Sequence, residues 1–147
     1  LQGLETLPLR VDAQTRNAAA LADFLFRHPL VQSINYPGHE SHPQHALAKT
    51  QMSGFGNMLA FQIVGGQDAA FTFLNALTLI DISNNLGDSK SLACHPFTTT
   101  HANLSDEDRA SLNITEGHIR ISAGLEDSAD LIADLDSALA AVAAMPH

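Results

Sequence analysis

The sequence predicts an α+β fold, in which helices pack on one face of a small, mostly antiparallel sheet. Several segments repeat apolar residues every three or four positions, which indicates amphipathic helices. Shorter segments between them alternate apolar and polar residues or are wholly apolar, as strands do. These segments follow the order α-β-α-β-α-β-β-α-β-α within 147 residues, a length that suits a single domain with its own core.

The first half of the chain is predicted to contain three helices and two strands. In order, these are a helix over 11–27, a strand over 31–36, a helix from about 41, a strand over 58–64 and a helix over 68–79. Proline disfavours helical backbone in the residue before it, so His28-Pro29 should end the first helix. Ser41 is expected to cap the second helix, with Pro43 in its first turn.

The second half is predicted to contain three short strands and two helices. In order, these are extended segments over 81–85 and 91–95, a helix starting at 105, a strand over 118–122 and a helix over 127–144. Ser105 precedes an acidic run, which suits the N-terminus of a helix. The last helix should carry Leu131, Leu135 and Leu139 on its apolar side.

The composition of the chain argues against two classes of binding partner, nucleic acids and anionic membranes. The chain has 16 Asp and Glu against 7 Lys and Arg, a net charge of −9. An acidic chain is poorly suited to nucleic acid or to an anionic membrane, both of which attract basic faces, and no apolar run approaches the ~20 residues of a membrane span. The single cysteine, Cys94, excludes an internal disulfide and favours a reducing compartment, so we expect a cytoplasmic protein.

Arg120 is the first candidate site residue. It lies between Ile119 and Ile121 in a predicted strand, so its side chain should point to the face opposite theirs. A guanidinium group held on a strand is a rigid fork that can bind a carboxylate through two hydrogen bonds. The alternative is a surface arginine paired with one of the 16 acidic residues.

The segment 84–92 is the second candidate. Gly87 can adopt backbone conformations closed to other residues, which allows a sharp turn beside a ligand. Asn85 can both donate and accept hydrogen bonds there, although asparagine is also a common turn former. Lys90 could attract a carboxylate group, or it could be a solvated surface lysine.

The histidines do not favour a metal centre. Three of them are regularly spaced between 39 and 45, but Pro43 disturbs their geometry, and zinc sites usually have three or four ligands. His95 follows Cys94, but neighbouring residues on a strand point to opposite faces, which argues against a nucleophile pair. We therefore expect Cys94 to be a small buried apolar residue, and we assign no metal site.

Two blocks of sequence stand out, ISNNLGDSKSLACHPFTTTH over 82–101 and EGHIRISAGLED over 116–127. Together they resemble the C-terminal domain of the pyridoxal-phosphate (PLP) enzymes of cysteine and methionine metabolism, the trans-sulfuration family of fold type I. Within that family they are most similar to the O-succinylhomoserine sulfhydrylase branch. The resemblance implies that residues 1–147 form a single C-terminal domain and that the PLP-binding N-terminal domain is absent from this chain.

The resemblance also implies roles for individual residues. Arg120 would hold the substrate α-carboxylate, with Asn85 beside it, and Lys90 and Ser91 would complete the substrate-binding set. Many relatives carry Ser at position 85, and lyase and cystathionine-forming relatives tend to carry Glu at position 90. A lysine there reverses the charge and favours a carboxylate, such as the succinyl tail of an activated homoserine.

PLP requires a Schiff-base lysine, and the lysines of the chain are Lys49 and Lys90. Neither follows the Ser-x-Thr pattern that precedes the aldimine lysine in this family. We therefore expect no catalytic or cofactor-binding residue within the chain, and PLP to be bound only in the full enzyme.

The implied reaction is γ-replacement on a small amino-acid substrate: O-succinylhomoserine and sulfide give homocysteine for methionine biosynthesis. The family resemblance also implies a homo-oligomer, typically a tetramer. Other branches stay open, namely O-acetylhomoserine sulfhydrylase, cystathionine γ-synthase and methionine γ-lyase. A further alternative is an isolated, catalytically silent domain, whose apolar surface would then be exposed or covered by self-association.

Overall fold

The computed structural model describes residues 1–146, which form a five-stranded sheet and six helices. The helices are α1 (Gln2–Glu5), α2 (Leu7–Arg27), α3 (His45–Gln51), α4 (Gly66–Ala76), α5 (Asp106–Ser111) and α6 (Ser128–Ala143). The strands are β1 (Val31–Asn35), β2 (Met58–Ile63), β3 (Asp81–Ile82), β4 (Leu92–Cys94) and β5 (His118–Ser122). Among these residues, no helix is both long enough and apolar enough to cross a membrane.

The strands lie in the order β1-β2-β5-β4-β3. Three of the four neighbouring pairs are antiparallel, and only β3 and β4 run parallel. The predicted α+β fold with a mostly antiparallel sheet is confirmed. β5 lies at the centre, where Arg120 is opposite Ala60 on β2 and Cys94 on β4.

One face of the sheet carries the core. Alternate residues of β2 and β5 are buried against α2, α4 and α6, as the period of a strand requires. Phe61 meets Phe73 of α4 edge to face, with ring centroids 5.5 Å apart. The longest helix contributes Leu21 and Leu25, which are fully buried in the same cluster. The prediction that helices cover one face holds for these three long helices.

The opposite face carries polar side chains. A cleft of about 460 Å³ lies over it. Its lining comes from β1, β2, β5 and the segments next to α3 and α5, and includes Asn35, Gln62, His118, Gln44 and Asn113. Burial lowers the pKa of His118, and the nearby His101 and His95 lower it further, so its ring is neutral at pH 7.

Several predicted boundaries needed correction. The first long helix begins at Leu7 rather than at residue 11, and the short α1 precedes it. The predicted cap at Ser41 is wrong, because α3 begins only at His45 and its cap residue is Gln44. The Ser41 hydroxyl instead lies 2.8 Å from Nδ1 of His39.

The helix predicted over 68–79 spans 66–76, because Asp134 of α6 binds the segment that follows it. The Asp134 carboxylate accepts hydrogen bonds from the backbone N–H groups of Thr78, Leu79 and Ile80 at 2.8–3.0 Å. It also accepts one from the Thr78 hydroxyl at 2.8 Å. The helix therefore gives way to an extended segment that leads directly into β3.

Candidate carboxylate-binding site

Arg120 lies on β5, on the face that the long helices leave uncovered. Its neighbours Ile119 and Ile121 are fully buried in the core, whereas the Arg120 side chain is partly exposed. The strand alternation therefore places the guanidinium group as predicted.

The guanidinium group of Arg120 is held by main-chain oxygens. Its Nη2 donates to the carbonyl oxygen of Asn84 at 2.9 Å and, more weakly, to that of Asn85 at 3.5 Å. No carboxylate within residues 1–146 forms an ion pair with it. The alternative of a surface arginine paired with an acid gains no support, and N–H donors are left for a carboxylate ligand.

The loop between β3 and β4 lies against the same face as Arg120. Gly87 has φ of +76°, a left-handed conformation that favours glycine. Its N–H donates to Oγ of Ser122 at 2.9 Å, and Nδ2 of Asn57 donates to the same oxygen at 3.1 Å. Ser122 is two residues beyond Arg120 on the same face, so β5 fixes both ends of the turn.

Asn85 is exposed in this loop. Its N–H donates to Oγ of Ser83 at 3.2 Å, and its carbonyl oxygen faces Arg120. The structure therefore brings two of the predicted site residues, Asn85 and Arg120, together. The main-chain contact of Asn84 with Arg120 was not anticipated.

Lys90 lies farther along the loop, with its ammonium group 3.3 Å from Oδ2 of Asp81. Both side chains are well exposed, at 70% for Lys90 and 57% for Asp81. The loop itself contains Asp88, and the hydrogen bond from the backbone N–H of Lys90 is the main cause that lowers the pKa of its carboxyl group, which is ionised at neutral pH.

Ser91 is buried rather than open to a ligand, with 0% exposure. Its hydroxyl donates to Oε2 of Glu126 at 2.8 Å and accepts from the N–H of Gly124 at 2.8 Å. Its backbone N–H donates to Oε1 of Glu126 at 2.7 Å. The predicted place of Ser91 in the substrate-binding set gains no support from these contacts, because its donor and acceptor groups are used within the fold.

The Cys94–His95 pair has a structural role. Cys94 is buried, and burial raises the pKa of its thiol although the charge of Arg120 opposes this. His95 is buried, with Nε2 at 2.6 Å from the Glu116 carbonyl oxygen and Nδ1 at 2.8 Å from Oγ1 of Thr98. A carbonyl oxygen only accepts, so Nε2 carries the proton. The expectation that Cys94 is a buried apolar residue is confirmed.

The alternation of side chains along β5 was a signal that could have identified Ser122 in the sequence, because Ser122 lies on the same face as Arg120. Glu126 and Asn57 carried no such signal, since their partners lie 35 and 65 residues away in the chain. In the described part of the chain, no group of three or more His, Cys, Asp or Glu side chains is arranged to hold a metal ion.

A family model for Cys/Met metabolism PLP-dependent enzymes matches residues 1–140. The chain belongs to this family. The predicted resemblance is thereby confirmed over nearly the whole chain, and the family depends on PLP.

Three comparisons place the chain within the Cys/Met metabolism PLP-dependent enzymes. It is 48% identical to an O-succinylhomoserine sulfhydrylase of Pseudomonas aeruginosa, covering 97% of this chain and 35% of the relative. It is also 48% identical to an L-methionine gamma-lyase of Pseudomonas putida, over 97% of this chain and 36% of the relative. The fold matches a cystathionine gamma synthase of Xanthomonas oryzae pv. oryzae with a TM-score of 0.93 and 38% identity, covering 97% of this chain and 37% of that one.

The chain thus spans about a third of the length of the relatives it matches. The absence of a Schiff-base lysine from the chain stays a prediction. Lys49, on α3, and Lys90, beside Asp81, are both exposed, whereas a lysine that forms a Schiff base is activated by a desolvated or charged pocket. The surface around Arg120 is the candidate carboxylate-binding site of the described residues.

Proposed function

We propose that this chain is the substrate-carboxylate-binding part of a PLP-dependent enzyme that makes homocysteine from O-succinylhomoserine and sulfide. Membership of the family supports the reaction class, and 48% identity to an O-succinylhomoserine sulfhydrylase supports the branch. The proposed enzyme includes a further part that binds PLP through a lysine outside residues 1–147.

The observation that carries this proposal is the environment of Arg120. The guanidinium group is fixed on one side by the carbonyl oxygen of Asn84 at 2.9 Å, and it has no acidic partner among the described residues. A charge held in place without a counter-ion is prepared for an anionic ligand. In the proposed enzyme, Arg120 binds the α-carboxylate of the amino acid through its remaining N–H donors.

Lys90 supports the choice of substrate. Its ammonium group lies in the same loop as Asn85, and its partner Asp81 is exposed. Exposed ion pairs contribute only about 0–1 kcal/mol, so a substrate carboxylate can replace Asp81 at little cost. We propose that Lys90 binds the succinyl carboxylate of the leaving group.

The chain contributes binding and orientation to this reaction. PLP, when bound, stabilises the negative charge that develops on substrate carbon atoms. Arg120 fixes the amino-acid end of the substrate, while Lys90 attracts its acyl end. Holding both ends of the substrate in one geometry lowers the entropic part of the activation barrier. For well-oriented groups this effect reaches several kcal/mol.

A second candidate is the γ-elimination of methionine. Its support is the 48% identity to an L-methionine gamma-lyase, equal to that with the sulfhydrylase. The charge of Lys90 favours the first candidate, because methionine has no carboxylate at its far end.

Product analysis of the full-length protein separates these candidates. We expect homocysteine from O-succinylhomoserine and sulfide, with a higher kcat/KM than for O-acetylhomoserine. Cystathionine from O-succinylhomoserine and cysteine would instead indicate cystathionine synthesis. Release of methanethiol from methionine as the fastest reaction would establish the second candidate and exclude the first.

The role of Arg120 is tested by its substitution. Arg120→Lys keeps the charge but loses the planar fork, and we expect kcat/KM for the amino-acid substrate to fall by about two orders of magnitude, or ~2.7 kcal/mol. Arg16, an exposed residue of α2, provides the control, and Arg16→Lys should leave kcat/KM unchanged. Equal activity of Arg120→Lys and the unsubstituted protein would rule out a carboxylate-binding role.

A further inference from the structure

Each oxygen of the Glu126 carboxylate accepts a hydrogen bond from Ser91. Oε1 accepts from the backbone N–H of Ser91 at 2.7 Å, and Oε2 accepts from the Ser91 hydroxyl at 2.8 Å. Hydrogen bonds to an ionised carboxylate are shorter and stronger than those between neutral groups. Glu126 therefore binds the residue that directly follows Lys90.

Other contacts fix the same segment of loop on both sides. The N–H of Leu125 donates to the carbonyl oxygen of Ser89 at 2.8 Å. Nε2 of Gln14, from α2, donates to the carbonyl oxygen of Asp88 at 2.8 Å. Residues 88–91 are consequently attached both to α2 and to the segment after β5.

The two segments approach each other so closely that only glycine fits at position 124. A Cβ atom there would collide with backbone atoms of Lys90, Ser89 and Ser91. The backbone of Lys90 has little freedom in this arrangement, although its side chain is 70% exposed. The reach of the ammonium group therefore depends on where the backbone is held.

We propose that Glu126 is a positioning residue that sets the place of Lys90 through its two hydrogen bonds to Ser91. This inference rests on the proposed function, because it assigns Lys90 to the acyl carboxylate. It accounts for the burial of Ser91: the serine acts as the attachment point of the loop and does not touch the substrate. Glu126 thereby determines the preference for a succinyl over an acetyl ester.

The test compares Glu126→Gln with Glu126→Asp in the full-length protein. The amide of glutamine cannot accept both Ser91 hydrogen bonds, whereas aspartate keeps the charge and should restore part of the effect. We expect Glu126→Gln to raise KM for O-succinylhomoserine about tenfold, which corresponds to ~1.4 kcal/mol. KM for O-acetylhomoserine and kcat should each change far less. Glu40→Gln, at an exposed acid in another loop, is the charge-matched control and should alter none of them.

A purely structural role would give a different pattern. Equal increases in KM for both esters, or a fall in kcat with loss of the folded protein, would overturn the positioning role. An unchanged KM for the succinyl ester in Glu126→Gln would do so as well.

Amide hydrogen exchange distinguishes failure of this inference from failure of the proposed function. Glu126→Gln is expected to accelerate exchange at 88–91 and to leave β5 unchanged. If the unsubstituted protein did not use O-succinylhomoserine at all, the proposed function would fail, and with it the role of Glu126 in substrate choice. Exchange at 88–91 would then still decide whether Glu126 holds the loop, and unaltered exchange would overturn that as well.

Discussion

Lys90 and Arg120 differ in how firmly each charged group is held. The Arg120 guanidinium donates to a main-chain oxygen at 2.9 Å, so its direction is set by the fold. The Lys90 ammonium is paired at 3.3 Å with an exposed Asp81 and can leave it. In the proposed enzyme, a fixed cation suits the α-carboxylate common to all amino-acid substrates, and a movable one suits the group that differs between substrates.

The charge of Lys90 provides a test of substrate choice. We expect Lys90→Glu to raise KM for O-succinylhomoserine by about tenfold or more, because two carboxylates would then repel each other and Asp81 would add to the repulsion. The measurement is steady-state kinetics with the succinyl and acetyl esters. Lys49→Glu, an identical charge change on the exposed surface of α3, is the control. An unchanged KM for the succinyl ester in Lys90→Glu would remove Lys90 from the binding site.

Single residues also show where sequence reasoning reached its limit. The alternation of side chains along a strand was enough to place Arg120 on the face that the long helices leave uncovered. Successive side chains point to opposite faces, and the neighbours of Arg120 belong to the core. The same reasoning could not place Ser91, which lies in the loop before β4. Its direction is decided by Glu126, a partner 35 residues away.

At the scale of elements, the helix caps show when a local sequence pattern is enough to predict where a helix begins. Ser105 caps α5 as predicted, with its Oγ accepting from the N–H of Asp108 at 3.1 Å. Ser41 carried a similar signal, but successive turns between 36 and 45 delay the start of α3. A capping residue predicts the start of a helix from local sequence only when the backbone after it is free to become helical.

Asp134 links α6 to the connection between α4 and β3, and this link depends on pH. The side chain is only 6% exposed. Burial opposes ionisation of its carboxyl group, but hydrogen bonds from residues 78–80 outweigh this effect and hold the pKa below its usual value. A lowered pKa stabilises the folded state above the pKa of an unfolded aspartate, about 3.9, and this contribution is lost as the pH falls through the folded value.

Asp134→Asn should therefore destabilise the protein at pH 7. The asparagine amide group would face N–H donors that lose their acceptor, which costs about 2–6 kcal/mol for two such groups. The free energy of unfolding, measured by denaturant titration, should differ less between the two proteins as the pH falls below about 4. Asp136→Asn on the exposed side of α6 is the control. A difference in unfolding free energy that does not depend on pH would contradict the role of the ionised carboxylate.

At the scale of the whole molecule, α2 extends beyond the core that it helps to build. Its buried stripe runs through Leu25, Leu21 and Ala18. The same stripe continues towards the N-terminus through Val11 and Leu7, each 41% exposed. Apolar side chains at helical spacing without a cover within the described residues favour association with another surface.

The chain 1–147 studied alone should accordingly self-associate. Light scattering over a range of concentrations is expected to show particles larger than the monomer, because burying the apolar stripe of α2 removes it from water. The double variant Leu7→Ser, Val11→Ser should shift the chain towards the monomer. Leu112→Ser, at an exposed leucine after α5, should not. A monomer at every concentration would exclude this expectation.

The sequence alone determined the fold class, nearly every element and the family. The spacing of hydrophobic residues and the presence of turn residues are properties of a few neighbouring positions. They therefore predict strands such as β5 and helices such as α6 directly. The same local rules identified Arg120, because its neighbours in the strand fix its direction.

Only the tertiary structure decided the pairings that assemble the site. The contacts of Arg120 with Asn84, of Gly87 with Ser122 and of Ser91 with Glu126 each join residues that are 35 or 36 positions apart in the chain. Such contacts depend on how the sheet brings β3, β4 and β5 together, and no periodicity in the chain records them. The sequence therefore identified Arg120 as the candidate for carboxylate binding, and the tertiary structure determined which residues hold it and its loop in place.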